Sequence, residues 1–595
     1  MYICLGEFIW MDIAALKYRI ILFGGLLFIA LFAFLQWTNA YHFFFIEQNQ
    51  LFLFSRQYIG ERFFSPGGFS LLSGEFLVQF FIIPYVGAVI TALLLAKVGV
   101  LTAFVCKRIA PAAPLYILYF LPVLTLLFMH FNFNYWIQGT VAYIFFLLFV
   151  CLYLRIAEFK YRLLYALLSV PLLYWWGGSI ACLYAVCLLL WETLNRPKGW
   201  YWTTLVVFEA MLIAFGCMYF SVLGEYRFAF FPDFYYHRGL SAPDKIYFSW
   251  IALPFVIIIS YLLRDRKPVS RKREFVESFT QVILIIGLAW FIIPQYDDAE
   301  SLKLKELDYY TRTRQWDKII ENCKGRQTNY LYLCHLNMAL AEKGVLADQA
   351  FVFDQHGVQG LFVSWNKTVS VSTLLSELHF TIGNMVLAQE KAFESYVSSM
   401  GYGNPRMLQR LVQTNLIYGE YAVAEKYLDV LEQTFYYADW AKEHRRFLYN
   451  DVEVENDSLL GEKRKGLVDD NFLSNPAKVE LDLLSVANQY PQNRTPIEYV
   501  GVGYLLMKEL NAFEHLLNTC YNTDVLRTLP VSFQEAVIIL YESSPEIWAH
   551  YNVSESIVKR FAEYKRLVKA NRGGGATAEL NRLFGNTYWY YFMYK

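Results

Sequence analysis

Residues 19–37 read RIILFGGLLFIALFAFLQW, an apolar run with no charged side chain after Arg19. An α-helix rises ~1.5 Å per residue, so about 20 such residues cross the ~30 Å hydrocarbon core of a bilayer. With Lys17 and Arg19 in front of it, the run reads as a first transmembrane helix whose N-terminus stays on the cytoplasmic side. The exit, Thr38-Asn39-Ala40, lacks the A-x-A-like site and short apolar core of a cleaved signal peptide, so the helix is expected to remain as an anchor. Further apolar runs at 77–98, 111–129, 139–155, 162–177, 178–194, 201–222, 246–263 and 276–294 predict a bundle of nine spans. The 162–194 pair is broken only by Trp175-Trp176-Gly177-Gly178 and could instead form one re-entrant element.

Composition agrees with a membrane chain. Apolar residues make up 56% and charged residues 17% of the 595, against roughly 45–50% and 25% in soluble domains. This argues against a disordered chain, a single soluble domain and a nucleic-acid partner. The net charge of zero hides a division: 21 basic and 14 acidic residues precede Gln295, whereas 31 basic and 38 acidic residues follow. Three parts are expected: a transmembrane bundle over 1–295 with interfacial loop helices at 38–76, a soluble helical domain over 296–570, and a Gly-rich joint with an aromatic tail over 571–595. The fold class is all-α.

Loop charges predict the orientation. Alternate loops place fifteen Lys and Arg residues on one side, six of them in RDRKPVSRKRE at 264–274, while the opposite loops hold only Arg56, Arg62, Arg227, Arg238 and Lys245. Basic loops stay inside. An odd number of spans then puts everything after Gln295 outside, in the periplasm of a bacterium with two membranes.

The first outward loop, YHFFFIEQNQLFLFSRQYIGERFFSPGGFSLLSGEF at 41–76, is too aromatic for a solvated linker. On a helical wheel Glu47, Gln50, Gln57 and Glu61 share one arc, so a helix lying in the membrane interface is expected there, ended by the turn Ser65-Pro66-Gly67-Gly68. Gathered with the other outward loops, His42, Glu47, Glu61, His130, Asp233 and His237 would make a cluster of carboxylates and imidazoles at the membrane surface. Glu47, a carboxylate among Phe43, Phe44, Phe45 and Ile46, calls for a partner or a function. Two ionisable groups lie deeper, Glu209 and Lys97. They are expected to pair within the membrane, or Lys97 to snorkel and Glu209 to bond a neighbouring helix.

After Asp297 the periodicity is that of amphipathic helices with recurring helix-turn-helix units. LQRLVQTNLIYGEYAVAEKYLDVLEQ at 408–433 is the clearest, and its turn at Gly419 follows similar turns at Gly344 and Gly383. Spacings of 39 and 36 residues between these turns approach the 34 of tetratricopeptide units, so a TPR-like solenoid presenting a surface to a protein or peptide partner is expected. The aromatic tail, NTYWYYFMYK, should dock on the last repeat or return to the membrane. Nine cysteines show no C-x-x-C and no zinc-ligand spacing, although Cys323 and Cys334 could face each other across helices. Motifs for nucleotide-driven transport and for the usual hydrolases do not occur.

With EQNQLFLF at 47–54, SPGGF at 65–69 and NTYWYYF at 586–592, the chain resembles an uncharacterised family of bacterial multi-pass membrane proteins. More distantly, its layout is similar to the integral-membrane (GT-C type) glycosyltransferases that use polyprenyl-phosphate-linked sugars. That resemblance implies a catalytic carboxylate in the first outward loop, acting as base on the acceptor or holding a divalent cation, and Glu47 is the residue it carries over. The paired acidic motif frequent in such enzymes is replaced here by Glu47-Gln48. Arg56 or Arg62 would hold the donor phosphate at the interface, and Glu61, Asp233 and His237 complete the candidate site. A scaffold anchored in the membrane and a transporter or flippase working through Glu209 are the competing readings.

Overall fold

A computed structural model describes residues 2–112, 115–132, 134–220, 222–267, 270–292, 299–327, 329–399, 403–468, 478–570 and 577–595. The chain is all-α, with no strand among the described residues. It divides into two compact units, Met1–Leu302 with Gln433–Phe435, and Lys303–Glu432 with Tyr436–Lys595. The expected boundary at Gln295 and the Gly-rich joint at 572–575 lie outside the described residues.

The first unit is built from α1 (Tyr2–Glu47), α2 (Arg56–Phe63), α3 (Gly68–Val78), α4 (Val86–Ile109), α5 (Tyr116–His130), α6 (Ile137–Tyr153), α7 (Phe159–Gly177), α8 (Ile180–Asn195), α9 (Thr204–Tyr219), α10 (Tyr226–Phe230), α11 (Ile246–Leu262) and α12 (Arg271–Ile292). Three helical stretches, Ile20–Glu47, Val86–Ile109 and Trp200–Tyr219, are long and apolar enough to cross a membrane. The other apolar runs form helices close to their predicted places, and 162–194 is two helices that turn at Gly178 (φ +82°).

The second predicted span is displaced. The apolar run from 77 is not one helix, because Pro84 has no N–H to donate and the preceding Ile83 is extended. The helix restarts at Val86 and continues to Ile109, about ten residues beyond expectation. Small residues then let α1 and α4 approach: a methyl group on Gly24 would meet Val100 at 2.6 Å, and one on Gly99 would meet Leu27 at 2.7 Å.

Side-chain and backbone bonds sort the loops of this unit into two sets. On one end Arg108 Nε donates to the Leu154 carbonyl at 3.1 Å, and Tyr261 donates to the Leu194 carbonyl at 2.7 Å. These are the Lys- and Arg-rich loops. On the other end Trp175 Nε1 donates to the Phe63 carbonyl at 2.6 Å, Ser179 to the Phe231 carbonyl at 2.8 Å, and the His237 amide to the Asn134 carbonyl at 3.1 Å. The outward loops of the charge argument are thus joined to one another. Large apolar side chains face away from the core on α9 (Phe208, Met211, Leu212, Phe215) and on α12 (Phe275, Phe279, Ile283, Ile286).

The second unit opens with α13 (Ala299–Arg312), α14 (Trp316–Asn322), α15 (Tyr330–Glu342), α16 (Leu346–Gln349), α17 (Val369–Ile382), α18 (Met385–Ser398), α19 (Pro405–Tyr418) and α20 (Tyr421–Glu432), followed by further short helices. Helix pairs packed on each other recur, α17 with α18 and α19 with α20 among them. Their turns sit at Gly383 (φ +103°) and Gly419 (φ +78°), where the left-handed backbone ends one helix and starts the next. The aromatic tail docks within this unit. Tyr588–Tyr594 is helical, Trp589 is fully buried, and Tyr591 donates to the Leu506 carbonyl at 2.9 Å. Cys323 and Cys334 are both free thiols, so the contemplated bridge does not form; Cys323 Sγ instead points to the Tyr332 carbonyl at 3.8 Å.

Candidate functional site at the rim of the helical bundle

The first outward loop is not one amphipathic helix. α1 carries Glu47 at its last turn, residues 48–55 leave helical geometry, and only Gln57 and Glu61 of the expected polar arc share α2, where Gln57 Nε2 donates to Glu61 Oε1 at 3.0 Å. Ser55 caps α2 by accepting the Tyr58 amide, which competes with continuing α1 through that point. The Ser65–Gly68 turn falls where predicted, with Gly67 at φ +70°.

The centre of the rim is a residue passed over in the sequence: Glu75 on α3, 4% exposed. The Tyr58 hydroxyl donates to Glu75 Oε2, and Arg62 Nη2 lies 3.3 Å from Glu75 Oε1. Both carboxylate oxygens are therefore engaged, as a charge in an apolar shell requires. The Tyr58 oxygen also lies 3.0 Å from the Leu51 carbonyl, which holds the extended strand of chain between α1 and α2 against this group. Glu75 satisfied the criterion that singled out Glu209, a lone carboxylate within an apolar run, GFSLLSGEFLVQFF.

Arg62 is thus the predicted phosphate-binding arginine that enters the site, while Arg56 is exposed on α2. Its companion is Arg238. Its side chain remains exposed to solvent, but partial desolvation, reinforced by the like charge of Arg62, pushes the Arg238 guanidinium below its ordinary value. Arg62, braced by Glu75, and the solvent-exposed Arg238 are thus two cationic groups at this rim. Arg238 also lies 5.7 Å over the Phe228 ring.

Around this pair the remaining candidates are dispersed. Glu47 and His42 are buried at the end of α1. Gln50 accepts from Gln138 Nε2 at 2.9 Å, His130 Nε2 bonds Thr140 Oγ1 at 2.8 Å, and Asp233 accepts from Tyr247 at 2.8 Å. His237 Nδ1 accepts the Gly239 amide at 3.2 Å. Among the described residues no three His, Cys, Asp or Glu side chains lie close enough to hold a metal ion. Nor does an ion pair join Glu209 and Lys97. α9 packs on α7, α8 and α10, whereas α4 packs on α1, α5, α6 and α11.

A second feature of this unit is a cavity of about 770 Å³ between α1, α4, α6 and α7, walled by Leu101, Phe104, Phe149 and Trp176 and bordered by Lys107, Arg108 and Arg155.

Residues 15–595 match a family of unknown function, DUF6057, and the chain belongs to that family. No curated protein and no solved structure matches it.

Proposed function

We propose that this member of the DUF6057 family is a multi-pass protein of the bacterial inner membrane that transfers a sugar from a polyprenyl-phosphate carrier on the periplasmic side. Nine helices cross the bilayer, the N-terminus is cytoplasmic, and the second unit is a periplasmic TPR-like domain that presents the acceptor. Two sets of loops, one basic and one poor in charge, gathered at opposite ends, support the alternation of spans. The exposed apolar faces of α9 and α12 suit lipid contact.

The observation that carries the catalytic reading is the rim itself. A loop following the first span folds into α2 and α3, buries the Glu75 carboxylate and braces Arg62 against it, near enough to Arg238 for the two charges to act on each other. In this reading the arginines take the donor phosphate and stabilise the charge it gains on leaving. Glu47, on the adjoining end of α1, is the base that accepts the acceptor proton. Glu75 acts through Arg62 as a positioning residue. A non-enzymatic anchored scaffold is the second reading, favoured by the recurrent helix pairs of the second unit, which suit a docking surface.

Mass spectrometry of envelope glycans and lipid-linked sugars tests the choice in a deletion strain complemented with the native chain, with Glu47→Gln or with Arg238→Gln at equal abundance. Loss of one sugar unit in the deletion and both variants supports transfer. Unchanged glycans throughout would leave the scaffold. A phosphatase reporter fused after Lys595 should be active outside; activity only in the cytoplasm would reverse the topology.

A further inference from the structure

The second unit contains a cavity of about 550 Å³ with predominantly polar walls, within the ~300–1,000 Å³ range of small-molecule sites. Its lining comes from segments far apart in sequence: the end of α13, α17, α19, Trp440, the short helix Leu460–Lys465, and Asn493 with Thr495. Five cationic side chains, Arg312, Arg314, Arg406, Arg410 and Lys463, face it against three carboxylates, Glu342, Glu377 and Glu462.

The charges are unevenly committed. Glu377 is held between Arg406 Nε, at 2.9 Å, and Arg410 Nη2, at 2.5 Å, and Asp308 takes Arg406 Nη1 at 2.9 Å. Burial alone would raise the Glu377 carboxyl, but Arg410 and Arg406 hold it down to about 2. This ion network builds a rigid wall. Arg410 also stacks over the Phe380 ring at 3.5 Å and keeps a buried Nε with no acceptor.

Lys463 and Arg314 are committed differently. Lys463 Nζ donates to a neutral acceptor, the Thr381 carbonyl, at 3.0 Å. Among the described residues neither Lys463 nor Arg314 forms an ion pair. Arg314 stands at the lip in a left-handed backbone conformation (φ +53°), which a residue with a side chain adopts at a cost. Burial lowers the Lys463 ammonium below its ordinary value; Glu342 and Glu462 oppose the shift, and the charges of Arg410 and Arg314 add to it. Three cations from three separate segments thus border one cavity, and the charges of Arg314 and Arg410 bear on Lys463. An oxyanion placed among them would relieve that repulsion and supply the missing acceptors.

Along the same lining Gln409 and Gln413 share α19 with Arg410, whose Nη1 donates to Gln413 Oε1 at 3.0 Å; with Asn493 and Thr495 they offer neutral donors and acceptors, and Trp316 and Trp440 border the space. Amides and hydroxyls beside indole rings suit a pyranose, which presents hydroxyls at its rim and C–H groups on its faces. We infer that this cavity binds an acidic saccharide, its phosphate or carboxylate held by Arg314, Arg410 and Lys463 and its hydroxyls by the amide wall. The inference gives chemical content to the acceptor in the glycosyltransfer reading, but direct binding without turnover tests it separately.

The experiment is calorimetric titration of the full chain in nanodiscs with glucose 1-phosphate, glucuronate, glucose, inorganic phosphate and a triglutamate peptide. One of the two acidic sugars should bind, with glucose weaker by roughly tenfold or more, the loss expected for a missing charge-assisted bond. Arg314→Gln, on an exposed side chain, and Lys463→Gln should each weaken that binding by a similar factor while leaving the melting temperature unchanged. Absence of binding by both acidic sugars at millimolar concentration would overturn the proposal. So would tighter binding of triglutamate, inorganic phosphate binding as tightly as glucose 1-phosphate, or full affinity in Arg314→Gln.

Discussion

Arg162 on α7 grips Glu192 on α8 with two parallel bonds, Nε to Oε1 at 2.8 Å and Nη2 to Oε2 at 3.1 Å. Tyr153 donates to the same carboxylate at 2.7 Å, and Glu192 is fully buried. Removing the arginine strands a buried charge, which costs about 3–5 kcal/mol. Arg162→Ala should therefore lower the thermal stability of the purified protein sharply, whereas adding Glu192→Leu to it should restore much of the loss. A double variant no more stable than Arg162→Ala would mean the pair does not act as a unit.

Gly67 and Gly178 close the rim from two different loops. Both have positive φ, +70° and +82°, and a methyl group on either would meet the Phe234 ring at 2.7 Å. Gly178→Ala should destabilise the unit by about 1–3 kcal/mol through backbone strain together with overpacking. Pairing it with Phe234→Leu should relieve the packing part alone. Equal melting temperatures for Gly178→Ala and the native protein would contradict this geometry.

The aromatic tail is a structural clasp of the second unit. Trp589 and Tyr588 are fully buried, the Tyr588 amide donates to Glu535 Oε2 at 2.7 Å, and Lys595 Nζ reaches Asp354 at 2.5 Å. Each ring buries roughly 150–250 Å², about 4–6 kcal/mol as an upper figure at ~25 cal/mol/Å². Deleting residues 586–595 should make the second unit sensitive to trypsin. Persistence of the native cleavage pattern would refute the clasp.

Stability of the second unit should depend on pH through opposing groups. Burial pushes Glu498 and Glu535 up from 4.5 to about 7, so the folded chain keeps protons that the unfolded chain has released, and stability falls as pH rises through that window. Burial lowers His335 and His379 from 6.5 to about 4 and 3, so unfolding takes up protons below pH 6.5 and stability falls on acidification. The two trends offset between about pH 4.5 and 6.5, and the glutamates dominate just above, with a slope approaching ~1.4 kcal/mol per pH unit for each proton. Pulse proteolysis in urea should show stability dropping between pH 6.5 and 7.5, with Glu535→Gln removing about half of the drop. An unchanged drop in that variant would exclude Glu535 as a source.

Much of the helical framework was legible in residue order. Apolar runs marked the helices of the first unit, Gly178 marked the break between α7 and α8, and Gly383 and Gly419 marked turns between packed helices. These are local signals, because hydrophobic periodicity and left-handed glycines act within a few residues of where they stand. The displaced start of α4 shows a local signal overlooked: Pro84 was present in the run assigned to a single span.

The candidate site was legible only in part. Arg62 was named as a phosphate-binding residue and Arg238 among the basic residues of the outward loops, but Tyr58 and Glu75 were not candidates, since only the packing of α2 on α3 brings Glu75 to Arg62. Glu61, Asp233 and His237 share a rim in the sequence argument and are bonded by Gln57, Tyr247 and the Gly239 amide in the fold. The cationic cavity of the second unit had no trace in the sequence, because Arg314, Arg410 and Lys463 lie on segments that only the stacking of helices brings together. Sequence by itself determined which segments are helical, where apolar faces lie and how charge divides along the chain, all properties of neighbouring residues. Tertiary structure alone decided which charges meet, because the cost of burying a charge is settled by partners from distant parts of the chain.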